Sequence, residues 1–99
     1  MDKKEFLKKL ETELKISNNS THTIRNYLSS NKFLLTFTNK NPEEINPEDI
    51  KLYLAEKLND ASAMTKILFL SAIKYSFSTI LKKDITLDIK RPKKEKKIP

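Results

Sequence analysis

Two short stretches gather the side chains best suited to hold an anion: Ser20-Thr21-His22-Thr23 and Ser62-Ala63-Met64-Thr65-Lys66. Each reads as the start of a helix, where backbone N–H groups lack intrahelical partners and the helix dipole is positive. Such an end favours phosphate. The hydroxyls of Ser20, Thr21, Thr23, Ser62 and Thr65, the imidazole of His22, and Arg25, Asn26 and Lys66 one turn later add groups able to contact phosphates or base edges. The same residue types cap ordinary surface helices, so the stretches alone do not separate binding from capping.

Other chemistries are poorly provided for. A Ser–His–Asp arrangement would have to use His22, the one histidine, which falls in a first helical turn among small polar residues. Hydrolase nucleophiles sit on sharp glycine-flanked turns, and the chain has no Gly. The missing Gly also removes the P-loop and the dinucleotide fingerprint, which need backbone to approach phosphate with no Cβ in the way. With no Cys and one His, neither a disulfide framework nor a thiolate or histidine metal site can be built. Glu43-Glu44 and Glu48-Asp49 read as loop and first-turn charges, and Tyr27, Tyr53 and Tyr75 as core positions with hydroxyls reaching the rim. No cofactor, no metal and no catalytic residue is expected.

Charge is unevenly spread. The 99 residues carry a net +7, and residues 90–99 hold six basic side chains against the single Glu95, which is +5 of that total and leaves +2 for residues 1–89. A basic segment of this kind suits a polyanion or serves as a solubilising tail. An anionic membrane surface fits less well, because the segment lacks interleaved large apolar residues. No apolar run approaches the ~20 residues of a membrane span, and Met1-Asp2-Lys3-Lys4-Glu5 lacks the features of a secretory signal. A soluble, cytoplasmic protein is expected.

The elements that must position these groups are helical. Phe6, Leu7, Leu10 and Leu14 fall at helical spacing over 2–16, with Asp2 as N-cap and Glu5 at the capping-box position. Ser17-Asn18-Asn19-Ser20 interrupts the helix, Asn18 or Asn19 taking the left-handed role that Gly usually fills, and Ser20 caps the next. The second helix covers 21–38 on Ile24, Tyr27, Leu28, Leu34, Leu35 and Phe37, with Asn31 breaking its apolar side. A loop over 39–46 contains Pro42. Asn46-Pro47 then starts a third helix to about residue 58, with Ile50, Tyr53, Leu54 and Leu58 inward. Ser62 caps a fourth helix over 63–82, whose apolar positions cover more than one face and place it at the centre of the core. Asp84-Ile85-Thr86-Leu87-Asp88-Ile89 alternates and predicts an extended segment. The expected organisation is therefore a helical domain over 1–83 and a linker over 84–99.

Four runs of the sequence resemble segments of one protein family. Ser20-x-x-Thr23-Ile24-x-x-Tyr27 resembles the S-x-x-T-[IL]-x-x-Y signature of the N-terminal core-binding domain of tyrosine recombinases, the phage-integrase and Xer-like enzymes. Leu70-Ser71-Ala72-Ile73-Lys74-Tyr75-Ser76-Phe77 resembles the family's L-S-A-[ILV]-[KR]-x-x-[FY] segment. Pro47-x-Asp49-Ile50-x-x-Tyr53-Leu54 looks like its third helix, and Arg91-Pro92-Lys93-Lys94-x-x-Lys97-Ile98-Pro99 like the linker into its catalytic domain. Together the matches cover about residues 5 to 99.

The resemblance implies an all-α, four-helix SAM-like bundle with an extended basic C-terminal linker. It implies duplex DNA as partner, clamped by the second and fourth helices for DNA recombination or integration. Carried over by position, the DNA face holds Thr21, His22, Arg25 and Asn26 on the second helix and Thr65, Lys66 and Lys74 on the fourth, with Lys90, Arg91, Lys93 and Lys94 following the backbone. The DNA-cleaving tyrosine of the family belongs to a second domain beyond Pro99, so this polypeptide is expected to bind DNA without cutting it. It is expected to be monomeric in isolation and to meet other protomers on DNA. Two positions depart from the family pattern: Asn31 stands where an apolar residue is expected, which predicts a kink or rotation, and Phe69 stands where relatives carry a basic residue. The alternative from another class is a helical protein–protein interaction module for protomer assembly, using exposed apolar residues such as Phe33 or Phe69.

Overall fold

The computed structural model describes residues 1–87 and 89. It contains α1 (Lys3–Ile16), α2 (Thr21–Thr38), α3 (Pro47–Lys57) and α4 (Ala63–Ser76), with a 3-10 turn at Pro42–Glu44 and a π turn at Phe77–Leu81. No strand occurs among the described residues.

Each α-helix starts on a side chain that accepts from a free backbone N–H. Asp2, Ser20, Asn46 and Ser62 accept from the amides of Glu5, Thr23, Asp49 and Thr65 at 2.7, 3.1, 3.0 and 3.2 Å. At α3 the cap is reciprocal, because Asp49 Oδ2 also accepts from the Asn46 N–H at 3.0 Å. At α1 Glu5 pairs instead with Lys9 at 3.5 Å. Asn18, Asn39 and Lys82 take positive φ values of 58°, 52° and 58°, so helix ends that glycine often terminates are closed here by two asparagines and a lysine. The loop before α3 is more ordered than its sequence predicts. Its 3-10 turn is braced by the chain's amino group on Glu43 (2.9 Å) and by Lys83 Nζ donating to the Glu43 carbonyl (3.2 Å).

The core lies where α1, α2, α3 and α4 meet. Phe6, Leu34, Leu35, Ile45, Ile50, Leu70, Ile73 and Phe77 are buried there, and Phe6 packs on Phe77 with ring centres 5.1 Å apart. Tyr53 from α3 stacks on Phe69 of α4 at 4.7 Å and meets Phe37 of α2 edge-on at 5.3 Å. Tyr27 of α2 meets Tyr75 of α4 edge-on at 5.7 Å, and the Tyr75 hydroxyl lies 3.2 Å from Ser17 Oγ. The middle of α2 thus packs on the end of α4, at Tyr27–Tyr75 and Asn31–Ser76, and its last turns reach Phe69 through Tyr53.

Three expectations need correction. Asn31 does not break the packed side of α2, which is a continuous helix. The side chain is fully buried, donating to the Tyr27 carbonyl at 2.8 Å and accepting from Ser76 Oγ at 2.6 Å. It is a polar cross-link to α4, satisfied on both its atoms. The fourth helix does not continue as α-helix to residue 82 but widens into the π turn after Ser76. Its apolar positions are also not all internal: Met64 and Leu68 remain 45% and 55% exposed. The alternating segment after Lys83 is not extended. Asp84 Oδ1 accepts from the Thr86 amide and hydroxyl at 2.8 and 2.6 Å, and the Ile89 N–H donates to the Thr86 carbonyl at 3.1 Å. The resulting turn buries Ile85 and Ile89, four residues apart, in the same core.

Candidate nucleic-acid interface

A groove of about 640 Å³ opens between α2 and α4, with Tyr53 and Leu58 of the α3 end below it. On the α2 side it is lined by His22, Thr23, Asn26, Tyr27, Ser29, Ser30 and Phe33, and on the α4 side by Thr65, Leu68 and Phe69. No carboxylate lines it among the described residues. His22 and Asn26, one turn apart, have Nε2 and Nδ2 3.1 Å apart, so the amide is held against the ring. Ser20 Oγ donates to Thr23 Oγ1 at 3.0 Å, and Ser62 Oγ lies 3.1 Å from Thr65 Oγ1. The caps therefore spend part of their hydrogen-bonding capacity within the helices. Burial pushes the Tyr53 phenol above its ordinary value of 10.0, which keeps it neutral.

Both helix starts reach this groove, through His22 and Thr23 on α2 and through Thr65 on α4. Thr65 lines the groove, but Lys66 turns away, its Nζ 3.5 Å from the Asn59 carbonyl. Lys74, nine residues after Thr65, lies on another side of α4, where its Nζ is 3.9 Å from Asp84 Oδ2. Thr21 and Arg25 line a separate groove between α1 and α2 together with Lys32. The candidate residues thus divide into a neutral polar set in the α2/α4 groove and cations distributed around it. Lys90, Arg91, Lys93 and Lys94 lie outside the described residues.

Two groove residues stand outside those that the resemblance places on the DNA face. Ser29 and Ser30 line the same groove as His22 and Asn26, and the signal available was their spacing: residues 22, 26, 29, 30 and 33 repeat every three to four positions on α2. Phe69, the residue at a position expected to be basic, is buried at 4% exposure against Tyr53, so it supports the groove floor.

Among the described residues no group of His, Cys, Asp and Glu could hold a metal ion, and no helix is long and apolar enough to cross a membrane. A family model described as phage integrase, N-terminal SAM-like domain matches residues 6–87. A search of curated proteins finds no match.

Proposed function

From the premise that the chain belongs to the family of phage integrase N-terminal SAM-like domains, we propose that it binds duplex DNA as the non-catalytic arm of a site-specific tyrosine recombinase or integrase. The observation that carries this reading is the α2/α4 groove, where His22, Thr23, Asn26, Ser29, Ser30 and Thr65 offer uncharged donors and acceptors and no carboxylate among the described residues lines it, with Arg25 and Lys32 in the neighbouring α1/α2 groove. Such a face lets phosphate contacts fix position while His22, Asn26 and Thr65 meet base edges. Arg25, Lys32, Lys66 and the basic residues 90–97 supply the electrostatic component. Lys66 has to leave the Asn59 carbonyl to join them, a contact at the long limit of a hydrogen bond.

The test is an NMR titration of the chain with a short duplex at two salt concentrations. Salt-sensitive shifts concentrated at residues 20–30 and 62–69 and in the 90–97 segment support the reading. Shifts confined to 90–97 leave only a nonspecific basic arm. With about six cations each neutralising one phosphate, log affinity falls against log salt with a slope of roughly −5, and a slope near zero overturns the electrostatic clamp.

A second reading rests on Phe33 and Leu68, which line the groove while 59% and 55% exposed. If the face binds protein, Phe33→Ser abolishes association of protomers and leaves duplex affinity unchanged.

A further inference from the structure

On the other flank of α2, between it and α1, lies a second groove of about 630 Å³. Its floor is apolar and half-buried, made by Leu7, Ile24 and Leu28, and its rim carries Lys8, Lys15, Arg25 and Lys32. The single acid there, Glu11, is taken by Lys15 at 3.5 Å. Among the described residues Lys8, Arg25 and Lys32 have no ion-pair partner. The combination fits an amphipathic helix whose apolar stripe is flanked by carboxylates.

The chain itself displays such a helix. On the outer face of α3, Leu52 is 51% exposed and Ala55 lies exposed beside it. Glu48 stands one turn before Leu52 and Glu56 one turn after. The Glu48 side chain is 82% exposed and pairs with Lys51 of its own helix at 3.5 Å, and Glu56 has no ion-pair partner among the described residues.

We propose that the α1/α2 groove receives the Glu48–Leu52–Ala55–Glu56 face of α3 from a second copy of this chain. The contact is head-to-tail, because groove and α3 face are different surfaces and each copy keeps one of each available. One helix face is a smaller contact than the roughly 1,200–2,000 Å² of stable interfaces, so the association is weak and the dilute chain is monomeric. The proposal stands on these two surfaces and does not rest on DNA binding.

Sedimentation equilibrium of the whole chain without DNA tests it, from tens of micromolar to about 1 mM. The average mass is expected to rise with concentration and less so in high salt. A Lys8→Glu/Lys32→Glu variant and a Glu48→Lys/Glu56→Lys variant each weaken association roughly tenfold or more, and an equimolar mixture of the two restores it, since reversed groove then meets reversed helix. Circular dichroism verifies that both variants are folded. A chain that stays monomeric at the highest concentration, or a mixture that fails to restore association, overturns the proposal. So does a Lys8→Glu/Lys32→Glu variant that loses duplex binding with no self-association in the parent chain, which assigns the groove to DNA. Because the sedimentation contains no DNA, its failure and failure of the duplex titration are separate results.

Discussion

The buried pair Asn31–Ser76 shows how one polar residue is accommodated in a small apolar core. Asn31 Oδ1 accepts from Ser76 Oγ at 2.6 Å, and the same hydroxyl lies 3.0 Å from the Ile73 carbonyl, inside a fully buried site. Ser76→Ala removes the donor and leaves Asn31 Oδ1 without a partner, which is expected to cost about 1–3 kcal/mol in urea unfolding. Asn31→Leu combined with Ser76→Ala removes both partners and should cost less than Ser76→Ala alone. A double-mutant cycle measures the difference. A second residue-scale expectation concerns pH. The hydrogen bond and charge of Glu43 raise the pKa of the Met1 amino group above its ordinary 8.0, and the same contact lowers that of Glu43 below its ordinary 4.5. The stability from Glu43 is present above 4.5 and fades as pH falls through its lowered folded value. That from the amine is present below 8.0 and fades as pH rises through its raised folded value. Glu43→Gln should flatten both limbs of the stability–pH curve, and thermal melts across pH measure this.

At the scale of elements, the helix starts were legible because capping is local chemistry. Ser20 before Thr21, Asn46 before Pro47 and Ser62 before Ala63 place the starts of α2, α3 and α4 where the structure has them. Ser20→Ala and Ser62→Ala should each cost about 0.5–2 kcal/mol, read by thermal melts with duplex binding measured in parallel. The ends were harder. Asn18 was legible as a left-handed residue, but Lys82 was not, because nothing local favours lysine at φ 58°. Lys82→Gly should therefore stabilise the fold by a few tenths to 1 kcal/mol, the relieved strain exceeding the added chain entropy. The 84–89 segment was misread because alternation in sequence also fits a turn that brings residues four apart onto one core, as Ile85 and Ile89 show. The candidate site was legible in residue type and not in direction: Arg25 and His22 are three residues apart, yet they line different grooves. That division depends on where α1 and α4 pack, which no local pattern states.

Over the whole molecule the charge is concentrated at one end of the sequence, with +5 of the +7 in residues 90–99. Removing those residues should lower duplex affinity sharply and bring the salt slope toward that of the few cations around α2 and α4. Lys4→Glu, on exposed α1 and outside both grooves, should change it little. The π turn at Phe77–Leu81 has a consequence for how such a domain is joined to anything that follows. The Lys82 and Lys83 amides both reach back to the Phe77 carbonyl, the latter at 3.3 Å, so this stretch holds more chain than a regular turn of helix. It works as a one-residue phase shifter. Deleting Ser78 would let α4 run on in regular register and swing everything downstream by about 100° around the helix axis. Ile85 and Ile89 would then leave their sockets, with faster hydrogen exchange there as the visible sign. The heading on which the chain departs from the bundle is thus set by how many residues this turn contains, and a lineage could re-aim an attached domain by a single-codon insertion without redesigning either body.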